Sequence, residues 1–235
     1  MLALGMIAAL AMPGTAQATP QLGDLGVKQS MSVKASNGES LEGKDLRAIQ
    51  LATYTAASVD GNTIVGYDLT TNTALASDIT AAAKAAGATD TNLTVNGKND
   101  PMVWVVKNLT DSRSDPWSGK LRNFCNSLAK QTNFAKQDGT AVSTLSQDKA
   151  TMSTGNVLVP GIYAIVDRTP ATTTLSSGTA IKTTASIMMM NGTAVNGVNQ
   201  LRTAGGTTLT LGQVIYKVSN VESPDKKVNV GSAWK

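Results

Sequence analysis

The chain contains no histidine and a single cysteine, Cys125. An internal disulfide is therefore excluded, and so is a Cys–His nucleophilic pair, which needs an imidazole base beside the thiol. Only 4% of residues are aromatic and only 15% are charged, against about 25% charged in an average soluble chain, so threonine, serine and asparagine must carry solubility. No GxGxxG dinucleotide loop, Walker loop or GxSxG elbow is present, and metal-ligand clusters are missing too. The composition thus gives no catalytic residues, no metal ligands and no cofactor, and the chain is expected not to be an enzyme. The formal net charge of +4 comes from scattered cations, with only Lys226 and Lys227 adjacent. Nucleic-acid binding would need a clustered basic face, so it is not expected.

What is present is a chain of 235 residues, 41% of them hydrophobic, long enough for one large domain or two small ones. Residues 1 to 18, MLALGMIAALAMPGTAQA, read as the apolar region and small-residue cleavage site of a signal peptide, without a positive start. Export is the expectation, with the signal truncated at its beginning. The apolar run is shorter than the roughly 20 residues of a membrane span.

The clearest strand is PGIYAIVD, Pro160 to Asp167, whose β-branched and aromatic residues suit a packed pleated surface. Asp167 either ends that strand or is an acid placed for a purpose. Before it, Met31 to Ala35 alternates with Met31, Val33 and Ala35 on one face. Asp45 to Tyr54 alternates with Leu46, Ala48, Gln50 and Ala52 opposite Arg47, Ile49, Leu51 and Thr53. Asp60-Gly61-Asn62 signals a hairpin into Thr63 to Leu69.

The period then changes to a helical one. Ser77 is placed to cap a helix through Ala86, with Gly87 as its stop. Asp100-Pro101 and Asp115-Pro116 open two more, about Pro101 to Leu109 and Pro116 to Gln131. Trp117, Leu121, Phe124 and Leu128 form an apolar stripe on the longer one, and Cys125 beside it reads as a small buried residue. Asp111 and Asp115, four apart, cap and solvate rather than form a hydrolytic pair.

A polar loop is expected over Phe134 to Ala141. Strands then return at Ala150 to Thr154, Val157 to Asp167, Ala180 to Met190 and Thr207 to Val218. Met188 to Met190 reads as packing, and Asn92, Asn108 and Asn191 head Asn-x-Ser/Thr sequons. These elements amount to a mainly β sandwich, residues 19 to 220, with a helical insertion at about 77–131. Residues 221 to 235 read as a linker and the truncated start of a second domain.

The segments MSVKASNGESLEGKDLRAIQLATY, DPWSGKLRNFCNSLAK, PGIYAIVD and LGQVIYKV, in that order, resemble the N-terminal domain of major pilins, the fimbrial shaft proteins of Gram-positive actinobacteria of the bifidobacterial type. DKKVNVGSAWK is similar to the opening of the next, isopeptide-forming domain of such pilins. The resemblance implies an immunoglobulin-like (Cna-B-like) β-sandwich and a structural subunit of a covalently polymerised surface pilus. It also implies secretion, attachment to the cell wall rather than the membrane, and other pilin subunits as partners, joined by a sortase. The other class of reading is an adhesin module that binds a host glycan or matrix protein.

By the same resemblance, Lys217 matches the sortase-linked lysine, although its segment VIYKVSN lacks the proline of the family's tyrosine-proline-lysine motif. The plain alternative is a lysine pointing outward from the last strand. Lys34, Asp167 and Asn220 match the amine, acid and amide of an intramolecular cross-link, with aspartate where the family has glutamate. Lys226 or Lys227 matches the cross-linking lysine of the second domain.

Overall fold

The computed structural model describes residues 20–95, 97–109, 119–170, 172–174, 180–182, 188–203, 206–216, 229–230 and 233–234. The first strands are β1 (Gln21–Leu22), β2 (Ser32–Ala35), β3 (Leu46–Asp60) and β4 (Thr63–Thr71). A helical stretch follows: α1 (Ala76–Ala85), the small hairpin of β5 (Thr94–Val95) and β6 (Lys98–Asn99), then α2 (Pro101–Asn108), α3 (Lys120–Ala129) and α4 (Thr132–Ala135). The strands resume as β7 (Thr140–Val142), β8 (Thr144–Leu145), β9 (Thr151–Ser153), β10 (Gly161–Asp167), β11 (Thr172–Thr174) and β12 (Ala180–Lys182). Last come β13 (Met188–Gly192), β14 (Gln200–Arg202), β15 (Thr208–Thr210), β16 (Gln213–Tyr216), β17 (Asn229–Val230) and β18 (Ala233–Trp234).

The larger sheet runs β13-β10-β3-β4-β14-β15, with β1 and β7 also joined to β3; the second runs β16-β2-β9-β8. Both are mixed, because β14 joins β4 and β16 joins β2 in parallel. The chain is thus mainly β and does not close into a barrel.

Two cores result, one on each face of the larger sheet. Between the sheets lie Met31, Val33, Ala35, Leu46, Ala48, Val142, Met152, Tyr163, Ile165, Val214 and Tyr216. On the opposite face, Ile162, Ala164 and Val166 meet the helices through residues such as Leu75, Ile79, Met102, Phe124 and Leu128. Every residue of β10 is buried. This explains why PGIYAIVD is a continuous apolar run: a strand with a core on each side has no face left for polar residues. Its glycine has a steric reason as well, since a Cβ at Gly161 would run into the Ala52 carbonyl.

Alternation predicts β2 well: Val33 and Ala35 are buried and Lys34 is exposed. The hairpin at Asp60 also forms, with Asp60 opposite Thr63 and Gly61 at φ 56°. Along β3 the expected face assignment holds only to Leu51. Ile162 pairs with Ala52 but Tyr163 with Gln50, so Leu51 is bulged and the parity flips. Leu46 and Ala48 enter the core between the sheets, whereas Ala52 and Tyr54 enter the helical one. One extra residue exchanges the faces of everything beyond it.

Other boundaries shift for local reasons. Helix α1 starts one residue before Ser77, and the Asn72 side chain caps the 3-10 turn ahead of it by accepting from Ala74 N. The expected loop at 134–141 instead holds the end of α4 and the start of β7. The expected strand over Val157 to Asp167 begins only at Gly161. The expected strand over Thr207 to Val218 is two strands in different sheets, broken at Gly212 with φ 77°. Between β12 and β13, and at Asp115-Pro116 and Trp117, the expectations lie outside the described residues.

At α2 the cap works through a relay. The Asp100 carboxylate accepts from both the N–H and the hydroxyl of Thr71, and the Thr71 oxygen in turn accepts from Met102 N at 3.0 Å. The helix start is thereby fastened to the end of β4. Thr71→Val strips the relay of its shared oxygen and should destabilise the protein by about 1–3 kcal/mol. Urea unfolding measures the change, and a midpoint equal to that of the wild type would refute the relay.

Candidate functional site

At the end of the two sheets where β3 begins and β10 and β16 finish, three chemically active side chains are buried together. Asp167 is the last residue of β10, opposite Leu46 of β3. Period-two alternation puts it on the face of Tyr163 and Ile165, toward the second sheet. Tyr216 is the last residue of β16 and points into the same core. Lys44 sits in the turn just ahead of β3, where its N–H donates to Leu41 O at 3.1 Å. The fractional exposures are 3% for Asp167, 1% for Tyr216 and 6% for Lys44.

Tyr216 links the other two. Its hydroxyl donates to Asp167 Oδ2, and Lys44 Nζ stands 5.8 Å from the centre of its ring, within cation–π range. Asp167 Oδ1 also accepts from Thr169 N at 2.8 Å, a turn that directs the chain out of β10. Asp167 is therefore both the end of its strand and a buried acid. Burial raises the Tyr216 pKa, and the hydrogen bond to Asp167 and its negative charge push it further.

The residues expected to form a cross-link are placed differently. Lys34 is exposed on the outer face of the second sheet, in register with Ile215 and Thr151. Asp167 faces the inner side of that sheet, so the structure does not bring the two together. The reason is the alternation itself: with Val33 and Ala35 inward, Lys34 must point outward. Lys44 is the lysine that shares Tyr216 with Asp167. It falls in a turn without periodicity, and no pattern in the sequence singles it out. Lys217, Asn220, Lys226 and Lys227 lie outside the described residues.

Other candidates resolve into packing. Cys125 is buried, with Sγ 3.9 Å from Met190 Sδ, while Met189 packs toward the core between the sheets. The Asn191 amide donates to Thr210 O at 3.1 Å and Gln213 O at 2.6 Å, so this sequon nitrogen ties β13 to β15 and β16. Among the described residues no group of three His, Cys, Asp or Glu could hold a metal ion, and no helix is long and apolar enough to cross a membrane.

A separate open cleft of about 290 Å³ lies where β3 passes from β7 to β4. Its uncharged walls are mixed, with Gln50, Asn72, Gln137 and Thr140 beside apolar Ile49, Val157, Leu158 and Val159. Comparison with known proteins adds nothing to this picture: no family model, curated protein or solved structure matches the chain.

All four tyrosines have raised pKa values through burial, Tyr163 to about 12. The folded state thus holds phenol protons that the unfolded chain releases near pH 10. Their contribution to stability is complete below about pH 10 and is lost as pH rises from there toward the folded values. The native protein should show no phenolate absorbance at pH 10, with ionisation appearing only alongside loss of structure. Tyr216→Phe should soften the alkaline fall in stability. Phenolate absorbance developing near pH 10 in the intact fold would contradict this.

Proposed function

We propose that the chain is a structural subunit of a covalently polymerised surface pilus, carrying an internal amide cross-link whose amine is Lys44. On this reading the two sheets form an immunoglobulin-like sandwich, and the helices between β4 and β7 are an insertion in it. The observation that carries the reading is the burial of Lys44 and Asp167 around Tyr216, at the point where β16 leads toward Asn220 four residues on.

The chemistry required is simple. An uncharged amine attacks the carboxamide carbon of Asn220, an adjacent carboxyl group carries one proton from the amine nitrogen to the departing nitrogen, the old C–N bond breaks to release ammonia, and the new C–N bond joins the two side chains. Asp167 serves as the acid, and Tyr216 holds it in position. Such a bond would do for this cysteine-poor chain what disulfides do for many exported domains. Polymerisation would proceed through a sortase and Lys217, ending at the cell wall. The uncharged cleft beside Gln50 favours the adhesin reading as the second, since its amides and its apolar side chains together suit a neutral ligand with both polar and apolar faces.

Intact mass tests the cross-link. The purified protein should weigh one ammonia less than its sequence, Lys44→Ala should restore the full mass, and Lys34→Ala should leave the deficit in place. An unshifted wild-type mass, or a deficit that survives Lys44→Ala, sinks the assignment. For the junction, incubation with a pilin sortase should produce a ladder of linked polymers that Lys217→Ala abolishes. A ladder that persists in the variant removes Lys217 from the role.

A further inference from the structure

We infer that β2 and β16 act as a mechanical clamp against tension applied along the chain. The two strands run side by side in parallel, with Ser32 opposite Gln213 through to Ala35 opposite Tyr216. The chain reaches β2 from its N-terminal side and leaves β16 toward residue 217. A pull on both ends of the protein therefore drags β2 toward its own start and β16 toward its own end. The two forces are opposed along one axis, so the bonds that cross between the strands are loaded together in shear. The same pair gripped from one end would open bond by bond.

The surroundings reinforce this geometry. β2 is held on its other side by β9, with Ser32 to Lys34 opposite Ser153 to Thr151. Just before β2, Met31 N donates to Thr154 Oγ1 and Thr154 N to Met31 O, both at 3.0 Å. The start of β16 is tied to the other sheet, because Gly212 N donates to Gly192 O at 2.7 Å and the Asn191 amide holds Gln213 O. Inward-facing Val33, Ala35, Val214 and Tyr216 are buried, which keeps water from one side of the crossing bonds. Ahead of β2, among the described residues, the load meets the short pairing of β1 with β3, which Gly23 N extends by donating to Ala57 O at 2.8 Å, and the bridge of Gln29 with Leu158, where Gln29 Oε1 also accepts from Gly197 N at 3.3 Å. Those contacts release slack, and the clamp sets the resistance.

The clamp follows from the topology alone, while its use in a fibre under tension rests on the pilus reading. Forced unfolding is governed by the unfolding barrier, so pulling direction is the variable to test. Single molecules of the full chain held by their two ends should unfold at a several-fold higher force than molecules held by the N-terminal end and Gln213→Cys. Gln213 is exposed and sits at the start of β16, so the second grip peels the pair from one end. The comparison uses a Cys125→Ala background; if that variant unfolds at lower temperature, an azide-bearing residue at position 213 gives the same grip with Cys125 in place.

Equal forces in the two directions overturn the clamp. The length released reports separately on the cross-link: with Lys44 joined to Asn220, the chain between them stays out of the tension path, and only the stretches ahead of residue 44 and beyond residue 220 extend in the end-to-end pull, at roughly 3.5 Å per residue. Either idea can therefore fail while the other stands.

Discussion

Burial of β10 on both faces is the constraint that orders the rest of the molecule. A strand with apolar packing above and below needs a cover on each side, and this chain supplies two different ones. The second sheet covers one face with Met31, Val33 and Val214. The helices between β4 and β7 cover the other with Ile79, Met102 and Phe124. Because β3 pairs with β10, β4, β1 and β7, it carries that arrangement across the whole larger sheet. Alternation lets β3 feed both cores, Ala48 entering the first and Ile49 the second, and its bulge at Leu51 exchanges the parity so that Ala52 joins the second.

Much of this was readable from the residues wherever a period runs uninterrupted. The alternation at Val33 and Ala35, the hairpin at Gly61 and the helix after Pro101 each rest on local chemistry that tertiary contacts have no cause to overrule. The sequence reading failed where one residue changes the phase. The bulge at Leu51 follows from a pairing between segments more than a hundred positions apart, and nothing in LRAIQLATY marks it. Gly212 breaks an apparent single strand into β15 and β16, and its neighbours show only that a glycine is present. At Asp100 the acid and proline correctly marked the helix start, but the shared oxygen belongs to Thr71, far back in the sequence.

The candidate site shows the same division. Asp167 was legible because it closes an apolar strand that must be buried. Lys34 matched the cross-linking amine by resemblance alone, yet the alternation that identified its strand already turned it outward. Lys44 sits in a turn, where no periodicity tells a buried side chain from an exposed one. The ring of Tyr216, 5.8 Å from Lys44 Nζ, arrives from a segment more than 170 positions further along the chain. Such a cluster becomes visible only when the sheets are assembled, since its three members come from three separate segments.

The contact between Cys125 and Met190 also bears on how the chain behaves among copies of itself. A lone thiol on the surface of a protein in an oxidising medium finds its partner on a second chain, and disulfide-linked pairs accumulate. Here the sulfur is turned into the helical core, against a thioether that cannot pair with it in a disulfide. Burial thus removes the one group in the described structure that could join two chains without an enzyme.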